Sequence, residues 1–224
     1  MNFENTLAIG NGVYTVPDVA NILHLPYHKV NTWLNEYWDG KLGKAFKTKY
    51  SWRIDSTRAV GFHTLVEFYV MMQFSDAGVK PLQVLKAHTE LSKSYNTIFP
   101  FAQKDIITNI TTDGKKIFLN IDGSSITLDG SKQLNLEFIN VFFKKLEFDK
   151  ELMATRLWPM GKNKAVVCDP QHKFGQPVID GTNIQTEAVY RMYLAKEPIS
   201  FIASLYELTE QKVKDAISFH KKAA

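Results

Sequence analysis

The chain has 224 residues, of which 45% are hydrophobic and 22% charged, and its formal net charge is +4. This composition excludes disordered and collagen-like chains, and the length is sufficient for one or two domains with a buried core. The single cysteine excludes a disulfide scaffold and a cysteine-based zinc site. The most apolar stretch, 62–74, is interrupted by polar residues and falls short of the roughly 18 residues of a membrane span. No basic region precedes an apolar run at the N-terminus, so we expect a cytosolic protein without a signal peptide.

Two short helices joined by a tight turn are predicted near the N-terminus. Thr15 can cap the first helix, and Pro17 and Asp18 both suit its first turn. Pro26 breaks this helix and begins a second one, which Asp39-Gly40 is expected to stop. The second helix would bury Val30, Trp33, Leu34 and Tyr37 or Trp38, and expose His28, Lys29, Asn31, Thr32 and Asn35. This pattern is typical of a helix-turn-helix.

A cationic stretch follows, because residues 41–58 contain six Lys or Arg and a single acidic residue. Four of these side chains, which we call the basic segment, are Lys44, Lys47, Lys49 and Arg53. Aromatic residues alternate with charged ones over 47–54, which predicts the hairpin of a wing. The sequence therefore offers a phosphate-facing strip, and a solvated loop is the alternative.

Helices and then strands are predicted through the middle of the chain. A long apolar helix over 64–74 ends at Gly78, and another begins at Pro81. The Asp-Gly pairs at 113, 122 and 129 separate alternating apolar positions, which predicts a small β meander.

Helical spacing returns over 134–148. Its aromatic residues form either a dimer surface or part of the core: Phe138, Phe142, Phe143 and Phe148. A linker over 158–164 and a short strand over 165–168 follow.

The last sixty residues predict a loop punctuated by glycine and proline, then three short helices that begin at Thr186, near Pro198 and at Thr209. Their buried stripes would be Val189, Met192 and Tyr193; Ile199, Ile202 and Leu205; and Val213, Ala216 and Ile217. The fold class is thus α+β and mostly α, with three units at 1–98, 99–164 and 165–224.

Two parts of the chain resemble known families. Segments 14–20 (YTVPDVA), 30–33 (VNTW) and 74–79 (FSDAGV) resemble the DNA-binding half of MerR-type winged helix-turn-helix proteins. Segment 174–184 (FGQPVIDGTNI) and the helices after it resemble the domain-of-unknown-function 433 family, a compact helical domain found in VapB-type antitoxins. The likeness extends over nearly the whole chain and implies a long antitoxin whose partner is a PIN-like ribonuclease toxin.

The helix-turn-helix pattern suggests how DNA would be bound. The second helix would enter the major groove, where Asn31 can bond adenine and Lys29 can bond phosphate or guanine. The DNA-binding residues would be His28, Lys29, Asn31, Thr32, Asn35 and the basic segment, which would contact phosphates without reading sequence. A helix-turn-helix that docks protein instead of DNA is the alternative. Palindromic operators imply a two-fold homodimer.

The partner-binding residues would lie in the C-terminal unit: Gly175, Pro177, Val178, Ile179, Gly181, Thr182 and Phe201. Its glycines suit positive φ or a close approach. Each apolar residue is either an exposed anchor or a core position.

Catalysis has little support in the sequence. Cys168 lies in an apolar run and reads as an inert buried thiol, and Pro26 prevents His24 and His28 from sharing a helix face. We therefore expect no enzyme, no cofactor and no metal. The main hypothesis is an antitoxin that binds its own operator. The alternative is a stand-alone MerR-like regulator with a C-terminal sensor or interaction domain, and a third possibility is an adaptor without DNA affinity.

Overall fold

The computed structural model describes residues 10–112, 117–121, 124–127 and 144–223. Its N-terminal helices are α1 (Val16–Leu23), α2 (Tyr27–Thr32), a π-helical segment (Trp33–Leu42), α3 (Gly43–Phe46), α4 (Phe62–Asp76) and α5 (Pro81–Ser94). A 3-10 turn (Pro100–Ala102) and α6 (Lys104–Asn109) follow, and the C-terminal helices are α7 (Thr186–Leu194), α8 (Ile199–Leu205) and α9 (Glu210–Ala223). None of the described helices combines the length and apolar content that crossing a bilayer requires.

Short antiparallel sheets complete a mixed α and β architecture. The strands are β1 (Tyr14–Thr15), β2 (Ser51–Ile54), β3 (Thr57–Val60), β4 (Ile110–Thr112), β5 (Ile117–Ile121), β6 (Ser124–Thr127), β7 (Leu146–Phe148), β8 (Ala154–Leu157), β9 (Val166–Val167) and β10 (Val178–Ile179). They form sheets of order β1-β3-β2, β4-β5-β6, β7-β8 and β10-β9. The strands β4–β6 confirm the predicted meander within the described residues, while its three Asp-Gly turns lie outside them.

The predicted start of α1 is confirmed in detail. Thr15 Oγ1 accepts a hydrogen bond from the Asp18 backbone N–H at 3.3 Å, and the Asp18 carboxylate accepts one from the Thr15 backbone N–H at 2.8 Å. This is a capping box, which satisfies two N–H groups at the helix N-terminus. His24 then ends the helix in the left-handed region with φ 52°.

The prediction that Asp39-Gly40 stops the second helix is wrong. The chain stays helical from Tyr27 to Phe46 because the backbone winds as a π-helix between α2 and α3. A Cβ atom on Gly40 would lie 2.6 Å from the Asn35 carbonyl oxygen, so glycine permits this winding. The hairpin predicted over 47–54 is shifted along the chain, since Lys47 caps α3 with φ 51° and the hairpin consists of β2 and β3, which begin at Ser51 and Thr57.

One large core unites the N-terminal helices with part of the C-terminal region. It is built on α1, the π-helical segment, α4 and α5, and it includes Cys168 and Phe219. The rings of His24 and Phe219 lie 5.4 Å apart, so the end of α1 packs on α9. A second, smaller core fills the space between α7, α8 and α9 with Ile179, Val189, Ile202, Val213 and Ala216.

Two further predictions need correction. Residues 146–148 form β7 rather than the end of a helix, and Phe148 packs against the large core. The part of the predicted helix that contains Phe138, Phe142 and Phe143 lies outside the described residues. Leu205 was expected to be buried but is 55% exposed. The reason is that α8 turns Ile202 and Ala203 into the core, so its opposite face points to solvent.

Candidate nucleic-acid and protein interfaces

The polar face predicted for the second helix is only partly exposed. His28 is exposed, whereas Lys29, Asn31, Thr32 and Asn35 are half-buried. The Lys29 ammonium lies 5.2 Å from the centre of the Trp33 ring, and the Asn35 amide donates a hydrogen bond to Asn31 Oδ1 at 3.0 Å. These contacts orient three of the predicted DNA-binding side chains.

The basic segment is fully on the surface. Lys44, Lys47, Lys49 and Arg53 are all exposed. Lys44 lies on α3, Lys47 and Lys49 lie in the loop that follows, and Arg53 lies on β2. The cationic strip therefore extends from the end of the helical stretch onto the hairpin.

Asp39 fixes the hairpin against the helical stretch. Its carboxylate accepts hydrogen bonds from the Tyr50 backbone N–H at 2.9 Å, from the Ser51 hydroxyl and from Arg58 Nη1 at 2.8 Å. Arg58 belongs to the cationic stretch of the sequence, but its charge is used in this contact. The Asp39 carboxylate thus joins the helical stretch that contains α2 to the hairpin on which Arg53 of the basic segment lies.

The C-terminal loop separates into core and surface positions. Val178 and Ile179 are buried on β10, so the core alternative applies to them and neither is a surface anchor. Gly175 is buried with φ 85°, and a Cβ atom there would overlap the Tyr14 hydroxyl, which explains the glycine. The Thr182 hydroxyl donates to the Ile179 carbonyl at 2.8 Å.

A cleft of about 290 Å³ opens beside this loop. The residues that line it include Arg156, Asp169, His172, Asp180, Gly181 and Thr182. Arg156 donates to the Asp169 carboxylate at 2.7 Å, and His172 Nδ1 lies 3.2 Å from the same group. Sequence reasoning singles out Gly181 and Thr182 but misses Arg156, Asp169 and His172, because Arg156 lies on β8 and no sequence pattern links the other two to this loop.

Several exposed apolar side chains of the C-terminal unit also escape prediction. Besides Phe201, at 48% exposed, they are Phe174 (70%), Leu194 (61%) and Leu205 (55%). Phe201 and Leu205 are four residues apart on α8 and therefore share one face of that helix. Pro177 is half-buried and Gly181 is exposed.

A groove of about 400 Å³ lies between α1 and α7. Asp18 and Ile22 line one side, and Tyr190, Leu194 and His220 line the other. The Tyr190 and His220 rings stack at 4.8 Å. Burial lowers the pKa of His220, and the Glu187 carboxylate partly opposes this effect.

The side chains weighed for catalysis have unreactive surroundings. Cys168 is buried, and burial raises the pKa of its thiol well above the usual range, so the thiolate nucleophile is disfavoured. His24 is the C-cap of α1 and His28 lies on α2, so different elements position them. Among the described residues no three His, Cys, Asp or Glu side chains are grouped closely enough to hold a metal ion.

Comparison with known proteins adds three findings. Residues 166–220 match the family model described as "Protein of unknown function (DUF433)". The chain is 22% identical to the "Putative antitoxin VapB45" of Mycobacterium tuberculosis over 92% of each protein. Its fold is similar to the crystal structure of Rv2018 from Mycobacterium tuberculosis, with a TM-score of 0.66 at 18% identity, over 91% of this chain and 96% of that one.

Proposed function

We propose that this chain is the DNA-binding antitoxin of a toxin–antitoxin pair. The observation on which the proposal mainly depends is the partly exposed α2 face, which the helical stretch and Asp39 connect to the four exposed cations of the basic segment on α3, the following loop and β2. The full-length similarity to a protein named as an antitoxin supports the toxin-antitoxin role. The antitoxin would act in the cytoplasm as a homodimer, repress its own operon and perform no chemistry.

In the proposed complex, α2 lies in the major groove and the basic segment contacts the phosphates. Asn31 and Thr32 would face base edges, and His28 and Lys29 would face bases or phosphates. Because each neutralised phosphate releases counterions, the affinity of such a protein falls steeply with salt. The four cations of the basic segment would account for much of that slope.

The DNA proposal can be tested by measuring binding to the chain's own promoter across a range of salt concentrations. The triple variant Lys44→Gln, Lys47→Gln, Arg53→Gln should lower the slope of log affinity against log salt by about 2 to 3. The matched control replaces Lys80, Lys86 and Lys93, which are exposed on or beside α5, and should leave the slope unchanged. An unaltered slope in the first variant would exclude the basic segment from the interface, and failure of the wild type to bind would favour the adaptor.

The toxin would be a PIN-like ribonuclease bound by the C-terminal unit. The exposed α8 face formed by Phe201 and Leu205 is rich in apolar surface and lacks charge between Pro198 and Leu205. Interface centres are depleted of charge in the same way. Occluding the acidic metal-binding cleft of such a nuclease would be sufficient for neutralisation.

The neighbouring gene provides the partner test. Its product should be toxic when expressed alone, harmless with this chain, and should co-purify with it. The double variant Phe201→Ser, Leu205→Ser should reduce co-purification, whereas Ser200→Ala, Ser204→Ala on the same helix should not. A neighbouring product that is neither toxic nor bound would contradict the antitoxin proposal.

The groove between α1 and α7 favours a second candidate function, a stand-alone regulator with a ligand sensor. A small molecule there would contact both the proposed DNA-binding half and the C-terminal unit. This candidate predicts operator binding that changes with a metabolite and requires no partner protein. The toxicity test on the neighbouring gene distinguishes it from the antitoxin.

A further inference from the structure

The segment before β10 adopts an unusual backbone conformation. Lys173, Phe174 and Gly175 have φ values of 48°, 56° and 85°, so three successive residues are left-handed. This region is unfavourable for residues with a Cβ atom, and Lys173 and Phe174 are the one adjacent non-glycine pair that adopts it within the described residues. Strain of this kind persists only where neighbouring structure imposes it, and it is frequent at functional sites.

Hydrogen bonds hold this left-handed turn in place. The Gly175 N–H donates to the His172 carbonyl at 2.8 Å, and the Gln176 N–H donates to the Lys173 carbonyl at 3.1 Å. The Val13 N–H donates to the Phe174 carbonyl at 2.7 Å, which fixes the turn to the residue before β1. The turn is therefore rigid and fastened to the N-terminal half.

The turn presents one aromatic ring to solvent. Phe174 is 70% exposed, more than any other large apolar side chain within the described residues. An aromatic residue on a rigid backbone loses little entropy on binding, so it suits the role of an interface anchor. Neither the core nor the α8 face explains why the chain holds a phenylalanine in this position.

The charge around the ring indicates what it would bind. Residues 171–176 contain the exposed cation Lys173 and no carboxylate of their own. The Asp18 carboxylate, which accepts a hydrogen bond from Gln176 Nε2 at 3.3 Å, is half-buried and also accepts from Thr15 in the capping box. Asp169, just behind, is 5% exposed and paired with Arg156 at 2.7 Å. The face around Phe174 is thus aromatic and cationic, and its complement is an apolar socket with a carboxylate at its rim.

We propose that Phe174 inserts into such a socket on the partner toxin, with Lys173 facing the rim carboxylate. This inference rests on the proposed antitoxin function and adds a second contact to the α8 face. The left-handed turn would act as a pre-formed anchor, so binding would not require the loop to reorganise.

The test measures the affinity of the full chain for the purified product of the neighbouring gene by titration calorimetry. Phe174→Asn removes the ring but tolerates the left-handed conformation, and Phe174→Gly relieves the strain. Both variants should bind at least 30-fold more weakly and unfold at the same temperature as the wild type or higher. Phe174→Tyr should remain within about threefold of the wild type.

Charge reversal provides the second arm. Lys173→Glu should weaken binding at least fivefold at low salt, whereas Lys162→Glu, an exposed control, should not change it. If the wild type binds and the Phe174 variants bind equally well, the anchor is wrong while the antitoxin proposal survives. If the wild type does not bind the toxin, the proposed function fails and the anchor fails with it.

Discussion

Arg58 Nη1 lies 2.8 Å from Asp39 Oδ2, an ion pair between the hairpin and the π-helical segment. It removes one cation from the positively charged stretch and uses it to set the angle between helix and hairpin. The four cations of the basic segment remain exposed. The position of the Asp39 carboxylate thus gives Arg58 a structural role, whereas the basic segment stays at the surface.

Replacing Asp39 with Ala should destabilise the protein and weaken DNA binding together. The variant leaves the Tyr50 N–H without its acceptor and Arg58 without its partner, so we expect a loss of about 1–3 kcal/mol in the free energy of unfolding. Urea denaturation gives this value, and promoter binding is measured well below the unfolding midpoint. Glu36→Ala, exposed in the same segment, is the control and should alter neither quantity.

The variant Gly40→Ala tests whether a glycine is required at this position by its close contact with the Asn35 backbone. Intrinsic helix propensity alone would make Ala more stable by up to about 1 kcal/mol. The contact with the Asn35 carbonyl oxygen predicts the opposite sign, a loss of about 1–3 kcal/mol, because a Cβ atom has no room there. Urea midpoints decide the matter, with the exposed Lys41→Ala as control; a stabilised Gly40→Ala protein would refute the close-approach explanation.

The N-terminal elements could be predicted because their signals are local. The capping box of α1 and the prolines that open α2 and α5 act on the residues beside them. The π-helical segment could not be predicted, because Asp39-Gly40 has the composition of a turn. The role of Asp39 depends on its bonds to the hairpin region, which begins more than ten residues further along the chain.

We expect the buried pair Glu67 and His88 to contribute strongly to the free energy of unfolding. Glu67 Oε2 lies 2.7 Å from His88 Nε2, both side chains are fully buried, and Glu67 Oε1 accepts the Phe101 N–H at 2.9 Å. Glu67→Leu alone leaves an unpartnered polar group, so we expect a loss of about 3–5 kcal/mol. The double variant Glu67→Leu, His88→Leu should lose less than the sum of the two single variants when measured by urea denaturation. Strictly additive losses would contradict this coupling.

Stability should fall as the solution is acidified below neutrality. Burial lowers the pKa of His63, although a bond to the Ala154 backbone and the charge of Asp149 oppose this. The unfolded chain then binds a proton more readily than the folded one below about pH 6.5, so unfolding becomes easier as pH falls. His220 has the same sign. In His63→Gln, the urea midpoint should change less between pH 7.5 and pH 5.5 than in the wild type; an equal change would exclude His63 as a source.

The C-terminal surfaces show where sequence reasoning reaches its limit. Spacing correctly predicts three helices and the buried Val213, Ala216 and Ile217. It assigns Leu205 to the wrong face, because a helix of seven residues permits more than one apolar stripe. Phe174 belongs to a recognisable motif, but its exposure follows from a left-handed backbone for which Gly175 is the only local signal.

The Asp215 side chain on α9 bonds to the start of the C-terminal unit, and we expect this contact to stabilise the protein. Burial alone would raise the pKa of its carboxyl, but hydrogen bonds from Lys164, from the Ala165 N–H and from Gln211 outweigh this effect, and the pKa is lowered. A lowered folded-state pKa stabilises the protein above the unfolded value of about 3.9, and that contribution disappears as pH falls through the folded-state value.

Asp215→Asn should therefore lose about 1–3 kcal/mol of unfolding free energy at pH 7. The difference between variant and wild type should narrow as pH falls below the unfolded value of about 3.9 and through the lowered folded-state pKa, below which the wild-type carboxyl is also neutral. Urea denaturation over a pH series measures both effects, and Glu210→Asn, exposed in the first turn of the same helix, is the control. A pH-independent difference would mean that ionisation of this carboxyl is not the cause of the loss, since an amide retains the size of the carboxylate but loses the ion pair with Lys164.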